Sequence, residues 1–186
     1  MMSSREFELQ SLPHLEAAYN LAYWLVRDRD DAQDVVQDAY LRAFRAYASR
    51  TGEDIRPWLL TIVRNVAYRW LSVRKRSANV ISLDGALSGR DNEHEHPLQV
   101  PSDEPSAEDL LVSRADQSMM RAALAELPPM FREVIVLREL EGLTYHQIAL
   151  VTQAPLGTVM SRLARARDQL RESLRVLLAK EIKNAL

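Results

Sequence analysis

The sequence contains no cysteine and only five glycines among its 186 residues. Because cysteine is absent, disulfide bonds, thiolate metal sites and a cysteine nucleophile are excluded. The glycines do not form a phosphate-binding loop and the four histidines do not form a His-Glu-x-x-His motif, so the common enzyme motifs are missing. Apolar runs are too short to span a membrane, and the start at Met1 lacks the basic-then-apolar order of a signal peptide. We therefore expect a cytoplasmic protein that is not an enzyme and does not insert directly into a membrane.

Negative charge is unevenly distributed, although the formal net charge is only -2. Between Asp84 and Asp109 eight acidic residues stand against one basic residue, Arg90, with proline and glycine interspersed. This composition predicts a flexible acidic linker over residues 77–106. His94 and His96 lie within it, where solvated polar sequence is a better interpretation than a metal site, so we expect no metal and no cofactor.

On both sides of the linker, apolar residues recur at three- and four-residue spacing without the alternation typical of strands. This periodicity predicts an all-α protein with two small helical domains, over residues 1–76 and 107–186. Gly52 and the pair Pro128-Pro129 are expected to interrupt helices within these domains.

The segment from residue 142 to residue 167 contains no acidic residue. Within it, Gly142 can end one helix in a left-handed conformation, and Thr144 with Gln147 can form a capping box that starts the next. A helix that stops and another that starts within a few residues indicate a helix-turn-helix, whose usual partner is DNA.

The second helix of this motif is expected to follow a turn at residues 152–154, with Pro155 in its first position. Its apolar stripe comprises Leu156, Val159, Leu163 and Ala166. The opposite face carries side chains that can contact phosphates or base edges in a major groove: Thr158, Met160, Ser161, Arg162 and Arg165. The alternative is a surface helix whose arginines only pair with Asp168 and Glu172.

A second basic surface is predicted on the helix that follows Pro57, because residues 57–83 also contain no acid. Its buried stripe is expected to comprise Leu59, Ile62, Val63, Val66, Trp70 and Val73, with Trp58 also in the core. The other side carries Arg64, Asn65, Tyr68, Arg69, Ser72, Lys75 and Arg76. Positive charge suits a phosphate backbone and an aromatic ring suits an unstacked base, so Tyr68 is either a stacking platform or an ordinary surface tyrosine.

The helix that precedes it is acidic, and we expect Asp30 to cap it together with Gln33. Its inner stripe comprises Val36, Ala39, Tyr40, Ala43 and Phe44. The outer face combines one apolar side chain with acidic and amide groups: Asp34, Gln37, Asp38 and Leu41. This face is either a docking surface or a solvated face with one exposed leucine.

Four segments in this order resemble a bacterial sigma factor of the extracytoplasmic-function (ECF) group, within the sigma-70 family. They are Asp34-Val-Val-Gln-Asp-Ala-Tyr-Leu-Arg-Ala-Phe44, Arg56-Pro-Trp-Leu-Leu-Thr-Ile-Val-Arg-Asn65, Leu127-Pro-Pro-Met-Phe-Arg-Glu-Val-Ile-Val-Leu-Arg138 and the helix-turn-helix. The resemblance implies a transcription initiation factor that binds core RNA polymerase and directs it to promoters. It also implies a domain of the sigma region 2 type over residues 1–76 and one of the region 4 type over residues 107–186.

The resemblance further implies roles for each surface. The acidic face would dock on a coiled coil of the polymerase large subunit, and the second domain would contact the polymerase flap. The basic face with Asn65, Tyr68 and Arg69 would meet the non-template strand of the -10 element, whose extruded base would enter a pocket in the loop from Ser49 to Arg56. The helix-turn-helix would read the -35 element, with Met160 in place of a basic residue often found there. An anti-sigma factor is expected as a further partner.

Two other classes of protein remain as alternatives at this stage. A dimeric helix-turn-helix regulator that binds an operator would explain one basic surface but not the second one between Arg64 and Arg76. An enzyme is disfavoured by the missing motifs.

Overall fold

The computed structural model describes residues 4–50, 52, 54–81 and 107–184, and within these ranges all regular structure is helical. Of the acidic linker predicted over residues 77–106, the part from 82 to 106, including His94 and His96, lies outside the described residues. The α-helices are α1 (Ser4–Ser11), α2 (Leu15–Val26), α3 (Arg29–Ala46), α4 (Ile55–Ile81), α5 (Ala107–Glu126), α6 (Pro129–Ile135), α7 (Tyr145–Thr152) and α8 (Leu156–Asn184). The prediction of an all-α fold is confirmed.

The N-terminal half is a bundle of α2, α3 and α4, with α1 packed against α4. Apolar side chains at helical spacing fill its centre, including the fully buried Leu21, Leu25, Leu60 and Val63. Burying a leucine of this kind contributes about 1.5–3 kcal/mol, which explains why these helices pack as a unit.

The predicted cap of α3 was wrong by two residues. Asp28, not Asp30, is the N-cap, and its carboxylate accepts hydrogen bonds from the backbone N–H groups of Asp30 and Asp31, both at 3.0 Å. Arg27 just before it has a left-handed backbone (φ 61°), which turns the chain sharply out of α2 and leaves Asp28 in the extended conformation that an N-cap requires.

Two apolar side chains that were predicted to be buried are exposed. Val73 on α4 is 52% exposed and Phe44 on α3 is 49% exposed, although the Phe44 ring still packs edge-on against Phe7 at 5.5 Å. Trp58 and Trp70, predicted as core residues, are only partly buried. Helix α4 runs to Ile81, five residues beyond the predicted end of the first domain at Arg76.

The C-terminal half is built from α5 to α8, and its breaks fall where proline and glycine predicted them. Helix α5 ends at Glu126, the pair Pro128-Pro129 follows, and α6 continues into a π-helical turn from Val136 to Leu140. Helices α6 and α5 both pack on α8, where Leu163 is buried.

The two halves also pack on each other. Helix α4 contacts α7, α2 contacts α6, and a single cluster of buried side chains contains residues of both halves, such as Leu60 and Val63 with Val134 and Ile148. The predicted domain ranges therefore describe units along the sequence that share an apolar core in this structure.

Candidate nucleic-acid interfaces

The helix-turn-helix consists of α7 and α8. The residues that were predicted to start α7 adopt the predicted conformations. Gly142 has a left-handed backbone (φ 66°) that ends the preceding turn. The Thr144 hydroxyl accepts a hydrogen bond from the Gln147 backbone N–H, and the Gln147 side-chain oxygen accepts one from the Thr144 backbone N–H. This reciprocal capping box fixes the first turn of α7.

The turn between the two helices differs from the prediction by one residue at each end. Thr152 is still helical, with its hydroxyl donating to the Ile148 carbonyl, and Gln153 makes the turn in a left-handed conformation (φ 52°). Helix α8 begins at Leu156, so Pro155 precedes the first helical position instead of filling it. The Pro155 carbonyl accepts the first hydrogen bonds of α8, from the N–H groups of Thr158 and Val159.

The outer face of the first turns of α8 is accessible. Met160 is 52% exposed, Ser161 and Arg165 are exposed, and Thr158 is partly exposed. Among the residues that the structure describes, Arg165 makes no hydrogen bond or ion pair, so its guanidinium is available for a ligand.

The two acids considered as partners for these arginines are engaged further along α8. Asp168 pairs with Arg171 at 2.9 Å and Glu172 pairs with Arg175 at 2.9 Å, both on exposed parts of α8. The alternative in which Asp168 and Glu172 neutralise the arginines at the start of α8 is therefore not seen in this structure.

The basic face of α4 is divided into an open part and a covered part. Five of its predicted residues are exposed and follow one side of the helix: Asn65, Arg69, Ser72, Lys75 and Arg76. Four of these recur at spacings of three and four residues, which lines them up on one face. This part of the predicted surface is accessible as expected.

Arg64 and Tyr68 were predicted on the same open face, and the structure corrects this. The Arg64 side chain is only 17% exposed and forms a two-pronged ion pair with Glu133 of α6, with distances of 2.8 Å from Nε and 3.2 Å from Nη2. The Arg64 guanidinium also lies 4.6 Å from the centre of the Tyr68 ring. Both side chains therefore face the C-terminal half.

The position of Tyr68 between the two halves affects the pKa of its hydroxyl group. Burial, reinforced by the Glu133 carboxylate, raises the pKa of Tyr68 well above the ordinary tyrosine value. The phenol is therefore held neutral between the two halves.

Glu133 is the residue that the sequence analysis missed. Its side chain is completely buried, and besides Arg64 it lies 3.9 Å from an Nη of Arg162 on α8, whose side chain is 23% exposed. The signal in the sequence was an acidic residue inside an apolar run, Phe131-Arg-Glu-Val-Ile-Val-Leu137. A buried carboxylate requires partners, and here both come from predicted DNA-binding residues.

A second group of polar contacts joins the halves at the end of α2 and the start of α4. Arg56 donates to the Glu141 carbonyl at 2.7 Å and to its carboxylate at 3.1 Å, and Asn20 donates to the same carboxylate at 2.9 Å. Arg132 donates to the Trp24 carbonyl at 2.7 Å. Burial lowers the pKa of Arg132 to about 10, which still leaves it charged at neutral pH.

The loop predicted to hold the base-capturing pocket is described only in part, since residues 51 and 53 are outside the described ranges. The Arg50 guanidinium lies 5.7 Å from the centre of the Tyr47 ring and 5.9 Å from that of Trp58. Asp54 caps α4 by accepting from the Arg56 backbone N–H at 3.0 Å. Arginine and aromatic side chains thus meet beside this loop.

The predicted docking face on α3 is accessible. Asp34 and Gln37 are exposed, Leu41 is 53% exposed, and Asp38 is partly exposed and pairs with Arg42 at 2.9 Å. Beside it runs an open groove of about 760 Å³ between the start of α2 and α3, lined by Leu12, Pro13, Leu15, Glu16, Tyr19, Gln33, Val36, Gln37 and Tyr40. Gln37 belongs to both surfaces, which makes the face and the groove continuous.

Within the described ranges, no three His, Asp or Glu side chains come together in a way that could hold a metal ion. In the same ranges, no helix has the length and apolar character that crossing a membrane requires.

Comparison with known families gives two matches, one in each half. Residues 12–77 match the family model of sigma-70 region 2, and residues 117–170 match that of sigma-70 region 4. The first match contains the basic face of α4, and the second contains α7 and the first part of α8.

Individual proteins are similar over most of the chain. The RNA polymerase sigma-H factor of Pseudomonas aeruginosa is 33% identical over 175 residues, which cover 94% of this chain and 89% of that protein. The ECF RNA polymerase sigma-E factor of Escherichia coli K12 is 33% identical over 149 residues, covering 80% and 76% respectively. The solved structure of the sigma factor RpoE in complex with the anti-sigma factor NepR from Bartonella quintana matches with a TM-score of 0.67 and 30% identity, covering 92% of this chain and 98% of that one.

Proposed function

Since this chain belongs to the sigma-70 family, as an ECF sigma factor that directs RNA polymerase to promoters, we propose how its surfaces divide that work. It is a transcription initiation factor and not an enzyme. The observation that carries the division is the presence of two basic, acid-free surfaces on different helices, one in each half of the chain.

The -35 element is read by the outer face of α8. Exposed Ser161 and Arg165 and half-exposed Thr158 lie at the start of the second helix of the helix-turn-helix, the part that enters the major groove in such motifs. Arg165 has no partner among the described residues, so it can bind a base edge or a phosphate without first breaking an internal bond. Arg162 joins this face once it is released from Glu133, and Met160 adds an apolar contact.

The -10 element is bound and opened by the basic face of α4. Arg69, Lys75 and Arg76 are exposed cations that suit a single-stranded phosphate backbone, and Asn65 can hydrogen-bond a base. Arg64 and Tyr68 extend this face when the C-terminal half moves away. The neighbouring loop from Ser49 to Arg56 holds the extruded base, a role supported by the aromatic rings of Tyr47 and Trp58 beside Arg50.

Core RNA polymerase docks on the face formed by Asp34, Gln37, Asp38 and Leu41. An exposed leucine among acidic residues, continuous with an apolar groove, suits a helical partner that carries both basic and apolar side chains. This face and groove meet the coiled coil of the polymerase large subunit, while the C-terminal half contacts the flap.

An anti-sigma factor is a further partner of this chain. Support comes from the similar sigma factor structure, which was solved with an anti-sigma factor bound. A division of the chain into two domains, with the first reaching the end of α4 at Ile81 and the second beginning at Ala107, and a cytoplasmic location belong to the same proposal.

Permanganate footprinting of promoter complexes tests the division of roles, because it detects unpaired thymines at the -10 element. Holoenzyme with Arg69→Ala should bind duplex promoter DNA near normally but show reduced permanganate reactivity. Holoenzyme with Arg165→Ala should bind less often but melt normally once bound. If Arg69→Ala and Arg165→Ala lower binding and melting in the same proportion, the two surfaces do not have separate tasks.

A further inference from the structure

The two DNA-facing surfaces are not independent in this structure, because they meet at one carboxylate. Glu133, with no exposed surface, holds Arg64 of α4 in a two-pronged ion pair and lies 3.9 Å from Arg162 of α8. The Arg64 guanidinium also lies 4.6 Å from the centre of the Tyr68 ring. One buried carboxylate thus engages one DNA-facing arginine from each half of the chain.

A carboxylate resembles a phosphate in charge and in its ability to accept two hydrogen bonds from a guanidinium. On DNA, Arg64 and Arg162 would bind a phosphate, and in this structure the Glu133 carboxylate occupies the position of that phosphate. Breaking such a buried pair leaves unpaired charge, so the carboxylate is exchanged for DNA most easily when the halves separate.

The surrounding contacts support a closed arrangement that has to open as a whole. Glu141 binds Arg56 and Asn20 across the same boundary, and the Gln147 amide donates to Asp54 at 2.9 Å. These bonds link the helix-turn-helix and the turn before it to α2 and to the start of α4. Arg64 and Tyr68 cannot reach a DNA strand while these bonds hold α6 and α7 against α4.

We propose that Glu133 is an internal clasp, which keeps the free chain closed by binding Arg64 across the boundary, and so covering Arg64 and Tyr68, until polymerase binding separates the halves. Arg162 lies in the same half as Glu133 and is released only when the carboxylate itself is displaced or replaced. The proposal rests on the DNA roles assigned to these residues above. It predicts that the free chain binds promoter DNA weakly, because the Glu133 carboxylate competes with the DNA phosphates.

The absence of cysteine allows a direct test with the double variant Asp54→Cys/Gln147→Cys, whose two thiols lie across the boundary. A bismaleimide with a reducible disulfide in its spacer locks the halves together. The locked protein, mixed with core polymerase, should lose promoter melting as measured with permanganate, and reductant should restore it. Because Asp54 and Gln147 belong to the proposed DNA-binding segments, activity is compared within each variant: the two single-cysteine variants should lose no more melting with the bismaleimide than with a monofunctional maleimide, because they cannot be locked.

Spin labels on the same two cysteines measure the closed state itself. Glu133→Gln should lengthen the distance between the labels and raise the affinity of the free chain for a -35 duplex at least fivefold, the lower end of typical coupling between sites. The matched control is Glu139→Gln, since Glu139 pairs with Arg167 within the C-terminal half and is exposed. This control should change neither quantity.

The outcomes separate the clasp from the roles on which it rests. Full melting by the locked protein, or an unchanged label distance in Glu133→Gln, overturns the clasp. A longer label distance without any gain in DNA affinity keeps the closed state but contradicts the DNA role of the released residues. If Glu133→Gln does not fold, the cross-linked cysteine variant, which keeps Glu133, still tests whether promoter melting requires the two halves to separate.

Discussion

Arg165→Ala should weaken -35 recognition without destabilising the protein. The side chain is exposed and makes no hydrogen bond or ion pair with any described residue, so its truncation removes no internal contact. Surface substitutions of this kind change stability by about 0.5 kcal/mol or less. Loss of a bidentate contact with a base costs about 1–3 kcal/mol, which is roughly a 5- to 150-fold loss of affinity.

The assay is equilibrium binding of holoenzyme to a fluorescent promoter at several salt concentrations, with the natural -35 element and with single base pairs exchanged. If Arg165 reads a base, the variant should lose discrimination at one position. If it binds a phosphate, the affinity should fall equally for all sequences and the slope of log K against log salt should become shallower by about 0.9.

Arg171→Ala is the matched control, because Arg171 lies on the same helix but is engaged with Asp168. It should leave affinity and salt slope close to those of the wild type. The reasoning fails if Arg165→Ala also leaves both unchanged, or if Arg171→Ala has the larger effect.

Three further predictions concern the cap of α7, the docking face and the partly buried phenol of Tyr40. Thr144→Ala removes the capping box of α7 and should lower the free energy of unfolding by about 1 kcal/mol, as read from a urea titration; an unchanged midpoint would show that the cap is dispensable. Leu41→Arg should weaken binding to core polymerase about tenfold or more with little change in stability, whereas Val176→Arg, a similarly exposed site on the distant end of α8, should not. Burial raises the pKa of Tyr40 to about 12, above its unfolded value of about 10, so its neutral form stabilises the fold below pH 10 and this contribution is lost as pH rises toward 12. Urea titrations across that window should show a steeper loss of stability in the wild type than in Tyr40→Phe, and parallel curves would contradict this.

Features that depend on a few neighbouring residues were predictable from the sequence. The left-handed Gly142, the capping box of Thr144 with Gln147 and the break at Pro128-Pro129 all arise from local backbone chemistry. Such signals need only the residues within one turn, and this is why the helix-turn-helix could be predicted closely.

Features that depend on distant partners were not predictable in the same way. Helical spacing placed Arg64 and Tyr68 on the open side of α4, and this was wrong because Glu133, 69 residues away from Arg64, holds Arg64 against α6. Spacing carries no information about a partner so distant in sequence. Val73 has the correct phase for burial yet lies beyond the part of α4 that the bundle covers. The cap of α3 was ambiguous because Asp28, Asp30 and Asp31 are adjacent candidates, and the backbone conformation of Asp28 decided between them.

The most direct test of the central claim is transcription in vitro with purified core RNA polymerase on promoter fragments from the source genome, with and without this protein. A sigma factor predicts initiation at defined promoters that appears only when the protein is present, and that is lost in Leu41→Arg. If competent core polymerase and folded protein give no promoter-specific transcript, while the protein alone binds a palindromic duplex as a dimer, the account is contradicted and an operator-binding regulator takes its place.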